Sequence, residues 1–131
     1  MDAVSQSPRT RRASITGALL VLAFVAVTTR EASAHAFPDR SEPRVGASLS
    51  TSPANVRVWF DGEVEPVFST IRVENGDRQR VDNGDGRVSP DDHRLLLVSV
   101  PPLPPGKYRV FWRVVARDGH RTEVDFPFRI K

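Results

Sequence analysis

The fold of this chain is decided by residues 106–131, which read GKYRVFWRVVARDGHRTEVDFPFRIK. Apolar and polar side chains alternate over residues 124–130, which is the pattern of a β-strand with one buried face and one solvated face. Residues 108–115 alternate in the same way, but both faces are partly apolar, which indicates a central strand. An Asp-Gly turn signal at 118–119 separates the two strands. The buried face of the last strand is predicted to comprise Val124, Phe126, Phe128 and Ile130.

The rest of the chain after residue 34 also shows strand patterns. Further strands are predicted at 56–60, 71–74 and 94–100, with a first strand between residues 35 and 41. Segments rich in Asn, Asp, Gly and Pro separate them as turns. No stretch of ten or more residues has a helical stripe. The sequence therefore predicts an all-β fold, a seven-stranded Greek-key β-sandwich or barrel of the immunoglobulin-like kind, with a cupredoxin-like arrangement as an alternative.

Residues 1–34 have the three parts of an export signal peptide. Three Arg residues between positions 9 and 12 give a positive start, and residues 15–27 form an apolar run. A membrane anchor is the alternative, but the run is shorter than the ~20 apolar residues of a spanning helix. Ala-Ser-Ala at 32–34 is a typical cleavage site. We therefore expect an exported protein, periplasmic or extracellular, with a mature domain at 35–131. The sequence is compatible with export by either the general secretory (Sec) route or the twin-arginine route.

Charge and composition exclude several classes of function. The chain has 19 basic and 16 acidic residues. Four of the basic and two of the acidic residues lie in 1–34, so the mature domain keeps 15 basic and 14 acidic residues. No basic stripe of the kind that nucleic acids require remains. The chain has no Cys, and its one Met is the initiator, so thiolate and thioether ligands are absent after cleavage. Nucleophile-elbow and phosphate-loop motifs are absent too, and we expect a protein that is not an enzyme.

His35, Asp118 and His120 form the candidate metal site. Cleavage after residue 34 would make His35 the N-terminal residue, whose α-amine and imidazole Nδ1 can chelate one metal ion. The amine has a pKa of only ~7.7 to 8.0, so a metal can displace its proton near neutral pH. Alone, each signal is also typical of a solvated terminus or an ordinary hairpin turn. Together the donors form an N,N,N,O set that suits Cu(II), and we expect one Cu(II) per chain. The Asp-x-His at 91–93 is interpreted as a solvated loop.

The sequence also carries motifs of a known family. The similarity begins with Ala-His-Ala at 34–36 and continues through the VRVWF run at 56–60. It is most specific at 112–120, where WRVVARDGH is similar to the family pattern W-R-V-V-S-x-D-G-H. These motifs resemble the CopC-like copper resistance proteins. The resemblance implies a Greek-key β-barrel or sandwich that binds Cu(II) through His35, Asp118 and His120.

Two features depart from the family pattern. Some members have an additional Glu ligand at the position where this chain has Gly62. Asp61 and Glu63 flank that position, and whether either adds a ligand stays open. The Met-rich Cu(I) loop of some members is also missing, since residues 79–92 contain no Met.

These observations favour an exported, non-catalytic Cu(II)-binding protein that sequesters copper or delivers it to a membrane transporter. A multispanning, CopD-like partner is implied by the resemblance alone, and no nucleic acid or polysaccharide partner is expected. One alternative is a copper-dependent polysaccharide oxidase, which also uses an N-terminal His on a β-sandwich. A mature domain of 97 residues has no long loops for a flat substrate surface. A metal-free β-sandwich interaction module is the second alternative.

Overall fold

The computed structural model describes residues 36–131; the predicted signal peptide and His35 lie outside the described residues. Within this range the chain forms no helix, and hence none that is long and apolar enough to cross a membrane. The described strands are β1 (Pro38–Glu42), β2 (Ser48–Leu49), β3 (Asn55–Phe60), β4 (Thr70–Asn75), β5 (Arg87–Val88), β6 (Leu95–Ser99), β7 (Gly106–Val115) and β8 (Arg121–Ile130).

The strands form two four-stranded sheets, in the orders β1-β3-β6-β5 and β2-β8-β7-β4. All neighbours are antiparallel except β2 and β8, which are parallel. The predicted all-β sandwich is confirmed. The described residues contain eight strands where seven were expected. Six of them lie at the positions where strands were predicted. The other two, β2 and β5, have two residues each and are too short to show alternation in the sequence.

One continuous core fills the space between the sheets. Trp112 packs edge-on against Phe60 from the opposite sheet, with ring centroids 5.0 Å apart. Such aromatic pairs contribute about 0.5–1.5 kcal/mol beyond the area that they bury. The core also contains the side chains of Val56, Val58, Val73, Leu96, Val98, Val110, Val114, Phe126, Phe128 and Ile130.

The predicted buried face of the last strand is wrong at one residue. Phe126, Phe128 and Ile130 are buried, but 45% of Val124 is exposed. The reason is its position at the edge of the sheet. Among the described residues, β2 pairs only with Arg129 and Ile130, so the first half of β8 has a neighbouring strand on one side alone.

A short connector, defined here as residues 61–65, links the two sheets at one end of the sandwich. Val64 forms an isolated antiparallel bridge with Ala116, just after β7. The Glu65 N–H donates to the carbonyl of Val115 at 2.7 Å. The Val64 N–H donates to the carbonyl of His93 at 2.9 Å. The connector is thereby fixed beside the turn that joins β7 to β8.

Candidate metal centre

Asp118 and His120 lie in the tight turn between β7 and β8. The Gly119 N–H donates to the carbonyl of Ala116 at 2.9 Å, and the Ala116 N–H donates to the carbonyl of His120 at the same distance. Gly119 has a φ of +88°, in the left-handed region that side chains rarely adopt. Apart from its two chain neighbours, no described residue has a heavy atom within 4 Å of the position that its Cβ would take. The turn therefore needs glycine for its backbone angle rather than for lack of space.

The Asp118 carboxylate engages His120 with both of its oxygens. Oδ1 accepts the backbone N–H of His120 at 3.0 Å, and Oδ2 lies 2.6 Å from the imidazole Nδ1. An ionised carboxylate can only accept, so the proton of this contact belongs to Nδ1. The other ring nitrogen, Nε2, is then the one with a lone pair for a metal. A carboxylate that holds a ligating imidazole in this way is a recurrent feature of metal sites.

The two carboxylates that the sequence left open as extra ligands both contact protein groups. The Oδ1 atom of Asp61 accepts the backbone N–H of Phe37 at 2.7 Å. The Oε2 atom of Glu63 forms an ion pair with Arg117 Nη2 at 2.7 Å. Neither contact could be read from the sequence, because the partners are 24 and 54 positions apart and meet only through the strand register.

The second Asp-x-His, at 91–93, has a different environment. Asp91 and Asp92 are exposed, as expected for a solvated loop, whereas His93 is half-buried. The Oδ1 atom of Asp92 accepts the backbone N–H of Arg94 at 3.0 Å, so this carboxylate caps a turn. The same spacing thus gives two different arrangements.

Within residues 36–131 no group of three or more His, Asp or Glu side chains converges to hold a metal ion. The structure brings together Asp118 and His120, and His35 lies outside the described residues. A metal bound to Asp118 and His120 would therefore need further donors, and the predicted N-terminal His35 would supply two of them.

Comparison with known proteins places this fold and this turn in a family. Residues 39–131 match the family model of the CopC domain. The chain belongs to the CopC family. The resemblance inferred from the sequence motifs is confirmed, and so is the expectation that the protein is not an enzyme. The polysaccharide oxidase alternative is therefore not favoured.

Two curated relatives illustrate the range of chain lengths in which this domain occurs. The copper transport protein CutJ of Bacillus subtilis is 32% identical over 113 residues, which cover 86% of this chain and 21% of the relative. Protein YobA of Escherichia coli is 28% identical over 113 residues and is covered to 91%. This chain thus spans about a fifth of the first relative and nearly the whole of the second.

Solved structures show the same fold. CopC from Methylosinus trichosporium OB3b superposes with a TM-score of 0.69 at 31% identity, over 74% of this chain and 94% of that one. PcoC, a methionine-rich copper resistance protein from Escherichia coli, has a TM-score of 0.62 at 24% identity, over 74% of this chain and 99% of that one. At this identity, the similarity to PcoC shows only that the two proteins share a fold. In contrast to that methionine-rich protein, this chain has one Met.

Proposed function

We propose that this protein is an exported Cu(II)-binding protein that carries one copper ion per chain as cargo. The observation that carries the proposal is the contact between Asp118 Oδ2 and His120 Nδ1. It assigns the lone pair of the exposed imidazole to Nε2, the atom that would bind a metal at the end of the sandwich. With the predicted amine and imidazole of His35, three nitrogen donors become available.

The donor set selects the oxidation state of the cargo. One amine and two imidazole nitrogens suit the tetragonal geometry of Cu(II), with the Asp118 carboxylate either orienting His120 or adding an oxygen ligand, and copper has the highest affinity among the common divalent ions. Soft Cu(I) prefers thiolate and thioether ligands. The chain has no Cys and only an initiator Met, which the proposed cleavage removes. The domain would therefore handle copper in its oxidised form.

The biological role would be sequestration of copper outside the cytoplasm or its delivery to a multispanning membrane transporter. Support comes from membership of the CopC family and from the name of one relative, a copper transport protein. Since this chain covers only 21% of the first relative, a transport step would involve protein beyond a domain of this size. The proposed partner is such a transporter.

The test is the mass and copper stoichiometry of the secreted protein. A mass that begins at His35, with one tightly bound Cu(II) that is lost in His35→Ala and in His120→Ala, supports the proposal. His93→Ala is the matched control and should keep its copper. A different N-terminus, or copper retained in both site variants, would contradict the proposal and favour the metal-free interaction module.

A further inference from the structure

The first described residues continue the ladder between β1 and β3 beyond the ends of both strands. Phe60 pairs with Pro38 at the end of the ladder. One step further, the Asp61 N–H donates to the carbonyl of Phe37 at 2.9 Å. The return hydrogen bond comes from the Phe37 N–H to the Asp61 side chain, at 2.7 Å. The side chain of Asp61 thus takes the place of a backbone acceptor at this last step.

The two hydrogen bonds with Asp61 and one buried side chain contribute to holding the first described residues in place. Ala36 is only 3% exposed and belongs to the core. Phe37, in contrast, is 56% exposed, so its side chain adds little burial. The reciprocal contact with Asp61 therefore holds the backbone of Phe37 at both its N–H and its carbonyl group.

The connector that begins at Asp61 is attached at its other end to the β7–β8 turn. Val64 bridges Ala116, and the Glu65 N–H donates to Val115. The ion pair between Glu63 and Arg117 adds a further contact, although exposed ion pairs contribute little to stability. The connector therefore links the backbone at Phe37 to the turn that carries Asp118 and His120.

Covalent geometry extends this link to the predicted N-terminal ligand. The proposed ligand at position 35 is two residues before Phe37 in the sequence, and two residues of fully extended chain span about 7 Å at most. A fixed Phe37 restricts the volume that the α-amine can search. Metal sites gain affinity when their donors are held in place before binding.

We infer that Asp61 is a positioning residue of the copper site, which holds the backbone of Phe37 so that His35 reaches the metal beside His120. The inference rests on the proposed function. It assigns Asp61 a role through the backbone, because its Oδ1 atom accepts the Phe37 N–H; ligation of the metal through Oδ2 is the alternative that the variants below test. The requirement is for a hydrogen-bond acceptor at this position, and the negative charge is secondary.

Paired substitutions at Asp61 separate positioning from ligation. Asp61→Ala removes the acceptor, whereas Asp61→Asn keeps an oxygen that can accept the Phe37 N–H but is a poor metal ligand. We expect Asp61→Ala to weaken Cu(II) binding by about 10-fold, in line with outer-shell partners of metal ligands, while Asp61→Asn stays close to the unchanged protein. Asp39→Ala, at an exposed acid of β1, is the control. Affinity is measured by competition with a chelator on protein that begins at His35.

Two further measurements make the result decisive. Hydrogen exchange of the Phe37 amide in metal-free protein should accelerate in Asp61→Ala and not in Asp61→Asn. The Cu(II) electron paramagnetic resonance spectrum should keep its parameters in both variants, because the ligands are unchanged. Equal losses of affinity in both variants with an altered spectrum would make Asp61 a ligand and overturn the inference. Unchanged affinity in Asp61→Ala would overturn it as well.

Failure of the proposed function gives a different pattern. If the unchanged protein that begins at His35 does not bind Cu(II) tightly, or His120→Ala binds as well as it does, both proposals fall together. If the unchanged protein binds Cu(II) tightly and His120→Ala does not, but the Asp61 variants differ from the results expected above, only the positioning inference fails. Circular dichroism of each variant verifies that the sandwich is folded.

Discussion

Asp118 contacts His120 at two points, through Oδ1 to the backbone N–H at 3.0 Å and through Oδ2 to the imidazole Nδ1 at 2.6 Å. The same carboxylate thus shapes the turn and orients the ring. The side chain of Asp118 is 20% exposed and that of His120 is 65% exposed, so the carboxylate lies behind the imidazole as seen from solvent. This geometry favours Asp118 as the orienting group of the site and His120 as its ligand.

Asp118→Asn tests this division of roles. The Asn oxygen can still accept the backbone N–H of His120, but its amide group is a donor and opposes the Nδ1–H of the ring. We expect Cu(II) affinity to fall by about 10- to 100-fold, as is typical when an outer partner of a ligating His is lost. His120→Ala should cause a larger loss. Chelator competition measures both.

Asp91→Asn provides the matched control, because it changes the same residue type at the same spacing from a His. Its copper affinity should equal that of the unchanged protein. If Asp118→Asn and His120→Ala reduced Cu(II) affinity to the same extent, the Asp118 carboxylate would have to be a metal ligand that contributes as much to affinity as His120. The orienting role would then be wrong.

The free N-terminus is the second testable requirement. A protein that keeps Ala34 in front of His35 has an amide where the proposed site needs an amine, and an amide nitrogen does not give up its proton as readily as an amine with a pKa of ~7.7 to 8.0. We expect tight Cu(II) binding to be abolished while thermal unfolding of the metal-free protein stays the same. Equal affinity with and without Ala34 would exclude the N-terminal chelate.

The fold could be predicted from the sequence where one face of a strand is buried. Alternation located β3, β4, β6, β7 and β8, because side chains of successive residues point to opposite faces of a sheet. Val124 shows the limit of this rule. Alternation assigns its face correctly, but exposure depends on which strands flank β8, and this is a property of the sheet order.

The candidate site was predictable only as far as its chemistry is local. Asp118 and His120 are two residues apart, so a turn brings them together and the sequence shows it. The contact of Asp61 with Phe37 depends instead on the register of β1 against β3, which includes an irregularity between Pro38 and Arg40. A slip of one residue would reverse the direction of every side chain after it. No local pattern encodes that register.

Acid stability should depend on Asp85, which lies in the turn-rich segment before β5. The Ser99 hydroxyl and, next, the Ser99 backbone N–H donate to its carboxylate and hold the pKa of Asp85 below the ordinary value of 3.8. A carboxyl whose pKa is lower in the folded state stabilises the protein above its unfolded pKa and loses that contribution as the pH falls through the folded value.

Asp85→Asn should therefore unfold at lower urea concentration than the unchanged protein at pH 7. The difference between the two urea midpoints should become smaller as the pH falls below about 4. Asp77→Asn, at an exposed turn position, is the control for the loss of one charge. A gap that stayed constant from neutral to strongly acidic pH would show that the ionised form of Asp85 is not the stabilising one.

Alkaline stability should depend on Tyr108, a buried residue of β7. Its hydroxyl donates to the carbonyl of Pro104, and its ring stacks on Phe128 with a centroid distance of 5.3 Å. Burial raises the pKa of Tyr108 above the ordinary value of 10.0. A group with a raised pKa contributes stability that is complete below the unfolded value and is lost as the pH rises through the folded value. The folded protein should therefore lose stability above about pH 10.

Two measurements isolate this effect. Tyr108 is the only Tyr in the chain, so the absorbance of tyrosinate reports its ionisation alone, and the midpoint should lie above 10.0 in the folded protein. Tyr108→Phe should lose about 1 kcal/mol of unfolding free energy near neutral pH through the missing hydrogen bond. Above pH 10 its deficit should shrink, since Phe has no proton to lose. A tyrosinate midpoint at or below 10.0 would mean that the hydroxyl is not protected by the core, and the alkaline loss of stability would then have to come from other groups.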